Sequence, residues 1–125
     1  MTGFPPALVQ AIILRDGGLC AMVGTTPQCR GRADTANHRL NRKAGGSRQR
    51  NGAGNGCGIC NTCNGLIESD AALAEIARHR GVKLREGDDP RLMWSPFFRQ
   101  WAHVSDDALA LTGHTDPHSR PEIPE

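Results

Sequence analysis

Five cysteines constrain this chain more than any other feature. Cys20 and Cys29 are separated by eight residues, and Cys57, Cys60 and Cys63 form two overlapping Cys-x-x-Cys steps. A Cys-x-x-Cys turn delivers two sulfurs to one ion with little strain, and zinc takes four thiolate or imidazole ligands in a tetrahedron. An odd count leaves one thiol over in a purely disulfide framework. Residues 1–20 lack the basic start and long apolar run of a secretory signal. No stretch approaches the roughly 20 apolar residues of a membrane-spanning helix. The expected setting is therefore cytoplasmic and away from membranes, where clustered cysteines act as metal ligands before they act as disulfides. The upstream pair and two of the downstream three would hold a structural zinc. Both Cys57–Cys60 and Cys60–Cys63 satisfy the spacing, so the choice of quartet stays open at this level.

The rest of the chain needs such a staple. Its 125 residues allow one domain. Aromatics are only 4%, Tyr is absent, and Gly (15) and Pro (8) are abundant, which describes a loop-rich chain with a thin core. We expect a single α+β domain over residues 1–112, its core at about 15–81, and a disordered Pro-rich tail over 113–125.

Local pattern suggests the elements. A proline suited to a first turn opens a helix over 6–15, with Leu8, Ala11 and Ile12 on one face, stopped by Gly17-Gly18. Residues 33–41 read as a strand and 44–58 as a Gly- and Asn-rich loop. Helix returns over 61–68. Ser69-Asp70 caps a second helix over 71–80 that Gly81 ends. A short strand is expected at 82–84. Residues 101–104 and 108–111 are expected to pair as a hairpin around 105–107. Trp94, Phe97, Phe98 and Trp101 are read as packing between these C-terminal strands and the cysteine knuckle.

Charge is local. Net charge is only +2, yet residues 30–50 hold Arg30, Arg32, Arg39, Arg42, Lys43, Arg48 and Arg50 against one acid, Asp34. Such a block suggests contact with a polyanion; a solvated arginine-rich loop is the alternative. Within it lie Asn37-His38 and Gly45-Gly46. Asn55 precedes Cys60 by five residues, and Asn64 follows Cys63 directly.

Taken in order, these pieces resemble the HNH endonucleases, particularly the small zinc-bearing ones of bacteriophages. The carriers are Arg15-Asp16-Gly17-Gly18-Leu19-Cys20, Asn37-His38, Gly45-Gly46, Asn55, Cys60-Asn61-Thr62-Cys63-Asn64 and Ile67-Glu68-Ser69. They span roughly residues 12–85. No single piece is specific; the order is.

The resemblance implies a ββα-metal (His-Me finger) core on a zinc knuckle of Cys20, Cys29, Cys60 and Cys63, with Cys57 left over. A short N-terminal helix and a small C-terminal β extension would flank it. The implied activity is metal-dependent hydrolysis of phosphodiesters in double-stranded DNA. His38 would be the general base, since a neutral imidazole accepts a proton at neutral pH. Asn55 would fix the loop and the orientation of His38, because an amide donates and accepts at once. Asn37 and Asn64 would bind a catalytic Mg²⁺ or Mn²⁺ that stabilises charge on the phosphate. Both stand where the family more often has His or Asp, and an amide is a neutral, weaker ligand. Glu68 and Asp70 are nearby carboxylates. Arg39, Arg42, Lys43, Arg48 and Arg50 would contact phosphates. Phage packaging proteins are the implied partners. Two other functions remain open: a zinc-knuckle module that binds DNA or protein without cutting, and a purely structural zinc protein.

Overall fold

The computed structural model describes residues 4–40, 53–85, 88, 92–104 and 111–113. Among these it is a small α+β protein. Helices α1 (Pro6–Arg15), α2 (Asn61–Ser69) and α3 (Ala71–His79) accompany two antiparallel sheets. One sheet pairs β1 (Thr35–His38) with β2 (Gly56–Ile59). The other has the order β3 (Leu92–Ser95), β4 (Gln100–Val104), β5 (Leu111–Gly113).

The expected helices form for the expected reasons. Proline opens α1, and Gly17 and Gly18 take the positive φ values of +74° and +78° that turn the chain toward Cys20. Cys60 caps α2 through its sulfur, which accepts the Cys63 N–H at 3.3 Å. Asp70 caps α3 by accepting from Ala72 N (2.9 Å) and Leu73 N (3.1 Å). Leu73 and Ala77 turn inward, and Gly81 (φ +73°) closes the helix.

Two strand expectations are corrected and a third is met in part. First, part of the 44–58 segment read as loop is strand β2, whose register pairs Thr35 with Ile59 and His38 with Gly56. Glycines hid it, since they weaken the strand pattern. Each stands where a neighbour comes close, α1 at Gly56 and the chain leading into β1 at Gly58. A Cβ on Gly56 would sit 2.5 Å from Ile12 Cδ1, and one on Gly58 would sit 3.1 Å from Ala33 Cβ. Second, residues 82–84 form no strand. Val82 N bonds back to Ala77 O (2.8 Å) and Leu84 N bonds to Arg39 O (2.8 Å). Third, β4 pairs with Leu111–Gly113, opposing Val104 to Leu111; the expected partner 108–111 is met at Leu111, and 108–110 lie outside the described residues. Strand β3 was unanticipated. Leu92, Met93 and Ser95 are all buried, so no alternation marks it.

Buried arginines organise the molecule. Arg15 donates to Gly56 O (2.6 Å) and lies 3.8 Å from Met93 Sδ. Arg39 donates to Leu92 O (2.5 Å). Arg80 stacks over Trp94, its guanidinium carbon 4.3 Å from the ring centre. Three successive residues of β3 are thus each held by an arginine from a different part of the chain. Asp16 completes the α1 anchor: it pairs with Arg15 (2.8 Å) and accepts the Gly58 N–H (2.8 Å).

Candidate functional site

The hairpin and the turns around it bring four cysteines together. The sulfurs of Cys20, Cys29, Cys60 and Cys63 all lie within 4.8 Å of one another. A tetrahedral zinc with bonds near 2.3 Å sets sulfurs about 3.8 Å apart, a separation compatible with that spread. Main-chain amides already point at the sulfurs. Cys20 Sγ accepts from Met22 N (3.4 Å) and Cys60 N (3.3 Å), and Cys29 Sγ accepts from Gly31 N (3.4 Å). Such donors stabilise thiolates. Without an ion, burial pushes the Cys20 thiol up to about 12. Burial, together with the nearby Cys20 charge, also raises Cys63. Cys60 is raised by burial too, yet donors from Arg30, Cys63 and Cys20 outweigh it and bring it below its ordinary value. The four sulfurs fit a metal ion, and an all-cysteine set suits zinc.

Cys57 stands apart from that quartet. It lies in β2 opposite Asn37, and burial raises its thiol to about 11. The alternative quartet with Cys57 therefore falls away. Alternation explains this: Cys57 and Cys60 fall on different sides of the strand end, and Cys60 and Cys63 share the first turn of α2.

His38 ends β1, facing Gly56 across the hairpin. Its imidazole stacks on Phe4, with ring centres 4.0 Å apart and planes 8° from parallel. Phe4 went unnoticed in the sequence; its signal was the rigid Pro5-Pro6 that follows it and opens α1.

Asn55 holds the segment after His38. Its Oδ1 accepts from Leu40 N (2.7 Å), its Nδ2 donates to Leu40 O (3.0 Å), and its own carbonyl accepts from Arg39 N (2.7 Å). One amide side chain thus grips both polar atoms of one main-chain unit two residues beyond His38.

Asn37 points the other way from His38. It is buried, donating Nδ2 to Val82 O (2.8 Å) with Cys57 Sγ at 3.8 Å. Asn64 lies in α2 next to Cys63, half-buried, with its N–H on Cys60 O (2.9 Å). Glu68 pairs with Lys83 (2.5 Å), and Asp70 caps α3. Among the described residues, the four cysteines are the group of three or more His, Cys, Asp or Glu placed to share an ion. Around His38 the described residues thus offer amides and no carboxylate cluster, a poor fit to a hard divalent cation.

Arg39 is a correction to the expected phosphate contacts. Its side chain is 0% exposed, and its guanidinium donates to Gly81 O (2.7 Å), Gly54 O (3.1 Å) and Leu92 O. It is an internal strut. Arg42, Lys43, Arg48, Arg50, Gly45 and Gly46 lie outside the described residues, as do the 105–107 turn and residues 114–125 of the expected tail. The aromatic expectation holds in part: Phe97 lies against Gly17 in the turn before Cys20, where a Cβ would meet its Cδ1 at 2.6 Å. Trp94 opposes Trp101 across β3 and β4, while Phe97 and Phe98 are 57% and 48% exposed at the tip of that hairpin.

Compared with protein-family models, with curated proteins and with solved structures, the chain matches none. No helix among the described residues is long and apolar enough to cross a membrane.

Proposed function

We propose that this protein is an HNH-type endonuclease that hydrolyses phosphodiester bonds in DNA, built as a ββα unit on a structural zinc. The observation that carries the reading is the two-point grip of Asn55 on Leu40 just beyond His38. A general base needs a fixed position more than an unusual pKa, and that grip, with the β1–β2 register, fixes where the strand delivers His38. The quartet of Cys20, Cys29, Cys60 and Cys63 would tie the entry to β1 and the exit of β2 to one zinc. The hairpin then runs straight into α2 through Cys60, the chain order a ββα-metal unit requires.

In the reaction, His38 takes a proton from a water whose oxygen attacks phosphorus. The bond from phosphorus to the 3′ oxygen breaks, and that oxygen leaves with a proton from solvent. The products are a 5′-phosphate and a 3′-hydroxyl. Because Asn37, Asn64, Glu68 and Asp70 make no strong divalent site, no step is assigned to a protein-held Mg²⁺ or Mn²⁺. Arg42, Lys43, Arg48 and Arg50 remain the proposed phosphate contacts.

The test is nicking of supercoiled plasmid by the zinc-loaded chain with Mg²⁺, Mn²⁺ or EDTA, against His38→Ala. We expect nicking in the parent and a loss of about a hundredfold or more in the variant. A folded parent that never nicks ends the reading.

A second reading has its own support. Asn37 stands at an expected ion-binding position yet is buried and donates to Val82 O. A knuckle that binds DNA without cutting would show salt-sensitive affinity, unchanged in His38→Ala, with no cleavage.

A further inference from the structure

We infer that Phe4 is a positioning residue for His38, its ring serving as the platform that sets the orientation of the imidazole; this rests on the nuclease reading of His38. The two rings are stacked nearly parallel, 8° apart, at 4.0 Å between centres. A face-on stack occupies the flat of an imidazole and not its nitrogens, so it fixes the ring while leaving its chemistry at the edge.

The seat of Phe4 is built from several directions. Gly56, opposite His38, has no side chain to fill the space beside it. A Cβ there would lie 3.2 Å from Phe4 Cζ and 3.4 Å from Phe4 Cε2. Phe4 itself is buried, 8% exposed, although it precedes the first helix. Residues before proline are held extended, and Pro5 sits at φ −56° and ψ 145°. Leu8 N and Val9 N both bond to Pro5 O at 3.0 Å, tying that stiff lead to the first turn of α1. Helix α1 is in turn pinned to β2 by Arg15 and Asp16. Phe4 is therefore carried by a rigid arm whose far end is anchored to the strand that faces His38. Asn55 sets the main chain after His38, and Phe4 sets the ring. The two act on different parts of the residue: a main-chain grip leaves χ1 and χ2 of His38 to be set, and the stack holds the plane of the ring.

The experiment uses the full zinc-loaded chain. In the parent, nuclear Overhauser contacts between Phe4 and His38 ring protons, and upfield His38 signals from ring-current shielding, are expected. His38 signals are assigned by comparison with His38→Gln. Phe4→Leu keeps an apolar side chain and removes the flat face. We expect it to keep its zinc, to move the His38 ring signals downfield, and to lose about tenfold or more in kcat for plasmid nicking with KM changed less than about twofold. Phe4→Met is measured in the same way and takes its place if Phe4→Leu does not fold. Parent spectra without the ring contacts overturn the inference, as does a variant with unchanged kcat or a loss confined to KM. Failure of the nuclease reading looks different: the parent is then inert while the ring contacts persist, and Phe4 is left as packing alone.

Discussion

His38 and Arg39 are neighbours in sequence with opposite surroundings, because successive residues of an extended chain face opposite sides. His38 lies on the α1 side against Phe4, whereas Asn37 and Arg39 turn into the body of the protein. In the sequence Arg39 looks like one member of a basic block. A polar residue on the inward face of a short strand leaves the same pattern as one facing water, so its burial was not legible. Asn55 was singled out by the resemblance alone; its two bonds to Leu40 match the loop-holding part of that expectation, since donor and acceptor on one flat group can hold a loop on both sides. Two outcomes follow at this scale. Arg39→Lys removes the planar fork that reaches Gly81 O, Gly54 O and Leu92 O, and a single ammonium cannot span those positions. It should cost about 3 kcal/mol in urea unfolding, and it should leave any DNA affinity of the folded fraction intact. Asn55→Ala removes both bonds to Leu40 and should cost about 2 kcal/mol. If Asn55 serves only stability, nicking by the folded variant will match the parent; we expect it to fall at least about tenfold.

At the level of elements, caps and turns were readable and the glycine strand was not. Ser69-Asp70 before an apolar-periodic run announces a helix start, and Asp70 does cap α3. Gly56 and Gly58 read as loop because single-sequence pattern weighs side chains. Here that absence admits Ile12 of α1 at Gly56 and Ala33, ahead of β1, at Gly58. This gives a coupled prediction. Gly56→Ala places a methyl 2.5 Å from Ile12 Cδ1 and should cost about 1–3 kcal/mol by overpacking. Ile12→Val removes that Cδ1 and alone should cost about 1 kcal/mol. Together they should cost less than the sum, with a favourable coupling that thermal unfolding can read as a double-mutant cycle. Additive costs would mean that the strand yields to the new methyl and that close packing of α1 is not why glycine stands there.

At the scale of the whole molecule, the cysteine cluster and β3 share one set of supports. Arg80 donates to Ala21 O and Val23 O (both 3.0 Å), in the turn that follows Cys20, and lies over Trp94 of β3. The thin core predicted from composition is thus bound by one cluster of sulfurs and by Arg80, which reaches from the Cys20 turn to the C-terminal sheet. Which cysteines matter then becomes a question about cooperativity. Cys60→Ser removes a cluster sulfur that also caps α2, whereas Cys57→Ser alters a thiol outside the quartet. We expect one zinc per chain in the parent and in Cys57→Ser, and weak or no zinc in Cys60→Ser. Zinc binding must displace protons from thiols, and burial raises Cys20 and Cys63 above their ordinary values. Affinity should therefore rise with pH across the neutral range. Chelation should unfold the chain as a unit, because binding to the folded state alone adds directly to stability. Tryptophan fluorescence should report it together with far-ultraviolet circular dichroism, since Trp94 is held against the arginine that grips the Cys20 turn. Two separate transitions, helices lost while tryptophan emission holds, would show instead that β3 and β4 stand without the cluster, and that Arg80 is a contact between independent parts.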